Sequence, residues 1–143
     1  MNRISGKCFW ILLIAAALLL PGCGKKSYRD GVYTGKSGAD EMGAWGEVTV
    51  TIKDGSVADC EFIIHQKDGT LKDEDYGKVN GEISNLDYYT KAQFAVRAME
   101  RYASSFRETG DLKKVDAVSG ATVAFNQFTE AAGLALKKAA GGS

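Results

Sequence analysis

Residues 47–65 read EVTVTIKDGSVADCEFIIH, and this stretch decides the fold. Val48, Val50 and Ile52 alternate with Thr49 and Thr51, the period-two pattern of a strand with one buried face. Asp54 and Gly55 then supply the residue pair that tolerates positive φ in a tight hairpin turn. The chain returns as a strand from Val57 to about His65, with Ala58, Cys60, Phe62 and Ile64 expected on one face. The segment therefore predicts two adjacent antiparallel strands. Upstream, Asp30, Gly31, Val32, Tyr33, Thr34 and Gly35 read as a first strand opened by a turn. A glycine-rich loop from Ser37 to Gly46 connects it to the hairpin.

Downstream the alternation stops. From Gln66 to Asn85 the residues Lys, Asp, Glu and Gly outnumber apolar ones, which predicts a surface loop or partly ordered excursion. Helical spacing begins at about Asp87: Ala92, Ala95, Val96, Met99, Tyr102, Ala103 and Phe106 form one stripe, and Gly110 is placed to end the helix. A second helix is predicted from Thr122 to about Ala139. Its apolar face is Phe125, Phe128, Ala132, Ala135, Leu136 and Ala139, and Lys137 and Lys138 suit the negative end of its dipole. The expected fold is α+β, a small antiparallel sheet with two main amphipathic helices packed on it.

The front of the chain is of another kind. Arg3 and Lys7 form a basic head, and an uncharged run from Cys8 to Leu20 follows, shorter than the ~20 apolar residues that span a bilayer. Leu20, Pro21, Gly22 and Cys23 resemble a bacterial lipobox, in which cleavage precedes a cysteine that becomes diacylated. An ordinary secretory signal or an uncleaved anchor is the alternative. The expected organisation is a lipoprotein signal peptide over 1–22, a lipid anchor (a palmitate-type acylation at Cys23) with a short linker over 23–29, and one domain over 30–141. That linker keeps the domain near the bilayer, since an extended chain reaches only about 3.3–3.6 Å per residue.

The 143 residues hold 18 basic and 18 acidic side chains, and loss of Arg3 and Lys7 on processing leaves the mature domain mildly acidic. The remaining charges of both signs are interspersed, so no basic stripe of the kind nucleic acid requires is present. With Cys8 removed and Cys23 lipidated, Cys60 is the remaining thiol, and its alternate position in a strand reads as a buried small hydrophobe. The single histidine, His65, leaves a histidine metal cluster or a Cys/His catalytic pair poorly supported.

Between the helices stands DAVSGAT, residues 116–122. A strand-like Val115 leads into a turn of small residues, and Thr122 opens the second helix. The first N–H groups of a helix lack intrahelical acceptors, and its N-terminus favours negative charge. Gly120 and Ala121 place no bulk in the way, so the turn is suited to a phosphate. Asp116 either pairs with a cation there or orients the loop through backbone contacts. Ser followed by Gly, Ala and Thr is also a sound N-capping turn.

The chain from Tyr28 to Ala139 resembles the FMN-binding domain proteins, the family that includes the flavin subunits of sodium-pumping and Rnf-type oxidoreductases. The resemblance is carried by Asp30-Gly31, Tyr33-Thr34-Gly35, the Val/Thr strand, Asp54-Gly55, the strand-end His65 and the D-x-x-S-G-A-T motif before a final helix. It implies FMN joined to Thr122 through a phosphoester, with Asp116, Ser119, Gly120 and Ala121 shaping the acceptor loop. It also implies a flavin transferase that uses FAD and Mg²⁺ and releases AMP, so that Thr122 is an acceptor, not a catalyst. Many relatives carry a Glu-Thr-Pro-Gly-type segment after the strand-end histidine, near the flavin ring. Here Gln66, Lys67, Asp68 and Gly69 stand instead. Tyr33, Trp45, Tyr76 and Phe125 are candidates for stacking on the ring, each also readable as ordinary core or surface.

Lipobox and motif together lead to the expectation of a lipid-anchored flavoprotein on the extracytoplasmic face of the cell membrane. It would carry electrons from a membrane reductase or NADH dehydrogenase to an external acceptor. The alternatives are a non-redox ligand-binding lipoprotein and an accessory flavin domain serving a separate organic-acid reductase.

Overall fold

The computed structural model describes residues 28–142, so the signal segment 1–22, Cys23 and most of the linker 23–29 lie outside the described residues. Three strands, β1 (Gly31–Lys36), β2 (Trp45–Lys53) and β3 (Ser56–His65), form an antiparallel sheet in the order β1-β2-β3. Two long helices, α1 (Leu86–Thr109) and α2 (Thr122–Ala139), pack on one face of it. The fold is α+β, as the periodicities require.

The hairpin is built as the sequence dictates. Asp54 and Gly55 take φ of 52° and 73°, the pair of positive values that joins strands through a two-residue turn. The turn is held from outside: the Asp30 carboxylate accepts from the N–H of Gly55 at 2.9 Å and of Asp54 at 3.1 Å, holding its pKa below the ordinary carboxylate range. Val48, Val50 and Ile52 face the helices, while Trp45, Glu47, Thr49 and Thr51 form the outer face. On β3 the alternation slips once. Ile52 pairs with Val57 and Thr51 with Asp59, leaving Ala58 as the extra residue of a bulge. Val57 therefore packs against the core, and Ala58, expected there, is exposed.

Phe128 on α2 is the hub of the interior, with the rings of Phe62, Tyr102 and Phe106 5.2–6.1 Å from its own. Helix α2 crosses β1 and β2 closely enough that small residues decide its seat. A Cβ on Gly35 would lie 1.9 Å from the Ala131 carbonyl oxygen. Ala131, Ala132, Ala135 and Ala139 complete the contact, all fully buried. Helix α1 ends at Gly110 in the left-handed conformation, φ 62°, where its N–H donates to the Phe106 carbonyl. Ala98 is buried with the predicted stripe, whereas Ala95 and Val96 are half-buried.

Val115 departs from its expected setting. It follows a short 3-10 turn (Leu112–Lys114) and is extended and buried, but it joins no strand of the sheet. Asp111 caps that turn, so the chain reaches the phosphate-type loop from a helical turn rather than from a strand.

Candidate functional site: the turn at the N-terminus of α2

Val118, Ser119, Gly120 and Ala121 form a β-turn closed by the Ala121 N–H donating to the Val118 carbonyl at 3.0 Å. Gly120 stands at its third position with φ 85°, a value that a residue with a Cβ adopts only under strain. The tetrapeptide does not serve as a side-chain cap. The N-cap residue is Ala121, and no side chain caps the helix. The Thr122 and Ser119 hydroxyls are thus unused by the helix, and both residues are exposed.

The backbone donors at this end are equally free. Phe125 donates to the Ala121 carbonyl, the first intrahelical bond. Among the described residues, the N–H groups of Thr122, Val123 and Ala124 have no backbone acceptor. Three unpaired donors, the positive end of an 18-residue helix and a hydroxyl on its first residue converge at one spot. A phosphate ester at Thr122 fits this chemistry: it meets donors and a favourable dipole without displacing any existing contact. Asp116 is exposed, and among the described residues its side chain makes no hydrogen bond or ion pair, so it offers a carboxylate at the rim.

The ring candidates are spread over the molecule. Trp45 and His65 pair across β2 and β3 and stack at 4.1 Å with planes 8° apart on the outer face of the sheet, with Lys36 Nζ 4.7 Å from the Trp45 ring. Tyr33 packs beside the core on β1. Phe125 stands one turn into α2, edge-on to Tyr102 at 5.4 Å. Tyr76 meets Tyr88 edge-on at 6.5 Å, and burial, aided by Tyr88, pushes its phenol up to about 12, so it is a neutral group.

Tyr76 and Tyr88, with Met42, Ala44, Lys67 and Lys72, line a groove of about 530 Å³. One of its lining residues, Ala44, is tied to the N-terminal half of α2. The buried Gln127 donates to the Ala44 carbonyl at 2.8 Å, and it stands five positions after Thr122, a rise of about 7.5 Å along the axis. Gln66, Lys67, Asp68 and Gly69 close on themselves as a turn beside it, with Gln66 N–H donating to Thr70 and Gly69 N–H to Gln66.

Residues 43–137 match the family model described as FMN-binding domain. The chain belongs to this family. It is accordingly a flavin-binding protein whose expected ligand is FMN. Among solved structures, the CPE2226 protein of Clostridium perfringens is similar at a TM-score of 0.61 and 21% identity, covering 78% of this chain and 88% of its own. That likeness concerns the fold. A solution structure from Clostridium thermocellum, 24% identical, covers 77% of this chain and 88% of its own at a TM-score of 0.42. No curated protein sequence matches the chain.

Around the turn at the N-terminus of α2 stand side chains whose part there periodicity did not reveal. Tyr102, fully buried, accepts from the Val118 N–H at 3.0 Å and donates to the Ala121 carbonyl at 3.2 Å. Its place on the apolar stripe concealed a hydroxyl that needs partners. Phe94, 40% exposed, lies where a Cβ on Gly120 would be 3.5 Å from its ring. An aromatic residue off the buried stripe of α1 was the available signal. Gln127, a polar residue at a core position, ties α2 to the loop through Ala44 and leaves its own Oε1 without a partner. Among the described residues no cluster of His, Cys, Asp and Glu is arranged to hold a metal, and no helix is long and apolar enough to cross a membrane.

Proposed function

We propose that the protein is a lipid-anchored flavoprotein of the extracytoplasmic membrane face, carrying FMN covalently on Thr122 and passing electrons between a membrane reductase and an external acceptor. The observation that carries this reading is the uncapped N-terminus of α2, with Thr122 exposed on its first residue and the DAVSGAT motif in front of it. Family membership supports the ligand. In the reaction proposed, the Thr122 oxygen attacks the FMN phosphorus of FAD, and the new O–P bond forms as the pyrophosphate bond breaks. AMP leaves, and the hydroxyl proton passes to a base of the flavin transferase.

The chain's own contribution is to present the acceptor oxygen and then hold the esterified phosphate with the N–H groups of Thr122, Val123 and Ala124. The helix dipole adds typically 0.3–1 kcal/mol for an anion at such an end. Bound flavin supplies one- and two-electron chemistry, while the protein governs position and access. A covalent tether suits a protein outside the cytoplasm, where released cofactor is lost by dilution. The lipobox at Leu20–Cys23 supports the anchor.

The test is intact-mass measurement, with flavin fluorescence on a denaturing gel, after co-expression with a FAD-dependent flavin transferase. One FMN per chain is expected for the native sequence and none for Thr122→Ala; covalent FMN on the alanine variant refutes the assignment. Lipidation is checked separately by acyl-chain labelling of native and Cys23→Ala chains, where equal labelling of both excludes Cys23.

A further inference from the structure

We infer that Tyr102 is the positioning residue of the Thr122 acceptor turn, an inference that rests on the reading of Thr122 as the flavin acceptor. One phenolic oxygen joins the two ends of the β-turn. It accepts from the Val118 N–H at 3.0 Å and donates to the Ala121 carbonyl at 3.2 Å. Residues 118 and 121 are the same pair that the turn's own hydrogen bond connects, so each end is held from two directions. Among the described residues, no other side chain hydrogen-bonds the backbone of 116–122.

The clamp itself is set in the core. Tyr102 is fully buried on α1, and the rings of Phe125 and Phe128 lie 5.4 and 5.9 Å from its own. A buried tyrosine hydroxyl needs partners, and both partners of this one belong to the turn. Phenylalanine would satisfy the packing equally, so the oxygen is what this position adds. Its consequence reaches Thr122 through a single residue, because Ala121 is also the N-cap from which α2 starts. Fixing Ala121 fixes the direction in which the helix, its free N–H groups and the Thr122 hydroxyl emerge. Ser119 and Gly120, the middle of the turn, stay exposed for an incoming enzyme.

The hydrogen bonds of Tyr102 go to Val118 and Ala121 and not to the Thr122 hydroxyl, so its effect is on geometry. An acceptor hydroxyl held in one orientation spares the transferase the cost of ordering it, and misplacement by even an ångström costs up to about a hundredfold in rate.

The experiment uses the full chain with a flavin transferase, FAD and Mg²⁺, and compares native, Tyr102→Phe, Phe106→Leu and Thr122→Ala proteins. Phe106→Leu weakens the same core without touching the turn. Tyr102→Phe is expected to lower kcat/KM for covalent FMN transfer at least about tenfold, with unchanged helix content. Phe106→Leu should react at the native rate. In the native protein the Val118 amide should resist hydrogen exchange despite lying in a surface turn, and that protection should vanish in Tyr102→Phe. Native-rate transfer to Tyr102→Phe, equal slowing of Phe106→Leu, or an unprotected native Val118 amide each overturns the inference. Failure of the native chain to gain FMN overturns the acceptor reading itself, whereas a labelled native chain with an unaffected Tyr102→Phe overturns only the clamp.

Discussion

Replacing Gly35 by alanine tests the seating of the helix that carries Thr122. The added Cβ would sit 1.9 Å from the Ala131 carbonyl oxygen and 2.7 Å from the Ala135 nitrogen, against 3.4–4 Å for ordinary contact. Both obstacles are backbone, so no side-chain rotation relieves them. Helix α2 has to lift from β1 by about 1.5 Å, and a gap of 0.5–1 Å already forfeits a quarter to a half of each dispersion contact. Phe128, Ala131, Ala132 and Ala135, all fully buried, lose packing against the sheet together. Overpacking of this kind costs typically 1–3 kcal/mol and occasionally more, and with backbone atoms on both sides the upper figure applies. A loss of about 3 kcal/mol is a large part of the 5–15 kcal/mol that holds a domain folded. It lowers the melting midpoint by about 15 °C in a domain of this size. Gly133 on the same helix is the internal control, because a Cβ there meets nothing within 4 Å. Gly133→Ala should stabilise by about 0.5–1 kcal/mol through helix propensity. Urea and thermal unfolding followed by circular dichroism measure both. A Gly35→Ala protein within about 0.5 kcal/mol of native stability would refute the close-approach argument, since even surface substitutions scatter by that amount.

Gly120→Ala places a β-carbon on a residue with φ 85°, a strain of roughly 1–2 kcal/mol, and should slow covalent FMN transfer far more than it lowers the melting midpoint. Parallel rates for the variant and native chains, measured by gel fluorescence, would show that the turn needs no left-handed residue. The Cys60 thiol, pushed up to about 12 by burial first and then by Asp59, should resist alkylation at pH 8 in the folded chain and react on denaturation; peptide mapping that finds native-state labelling of Cys60 would contradict its burial. The Asp30 carboxylate has its pKa lowered by the N–H groups of Gly55 and Asp54, so its contribution is complete above the unfolded value of about 3.9 and is lost as pH falls through the lowered folded value. Asp30→Asn should therefore be less stable than native protein at pH 7, with the difference shrinking towards pH 2; a gap that is constant over that range would assign it to something other than charge.

The lesson about legibility comes from particular residues. Alternation placed Val48, Val50, Ile52, Cys60, Phe62 and Ile64 on the buried face, because a strand's side chains point alternately to its two sides whatever the rest of the molecule does. Asp54-Gly55 announced its turn for an equally local reason. Ala58 broke the pattern through a bulge, and a bulge is set by pairing with another strand. Val115 looked like a strand residue and is an extended link, because β propensity does not say whether a neighbouring strand is present to pair with it.

The sequence by itself determined the strand and helix periods, the hairpin, the end of α1 at Gly110 and the motif at 116–122, all of which depend on residues adjacent in the chain or one helical turn apart. The tertiary structure alone decided that Tyr102 reaches the motif from α1, that Phe94 borders Gly120, that Gly35 admits the α2 backbone and that Gln127 of α2 holds Ala44 at the Tyr76–Tyr88 groove. Each of these joins residues from separate segments, and periodicity carries no information about which segments meet. Hydrogen bonds and steric contact act over a few ångströms in space, so the surroundings of Thr122 exist only once α1, α2 and the sheet have packed.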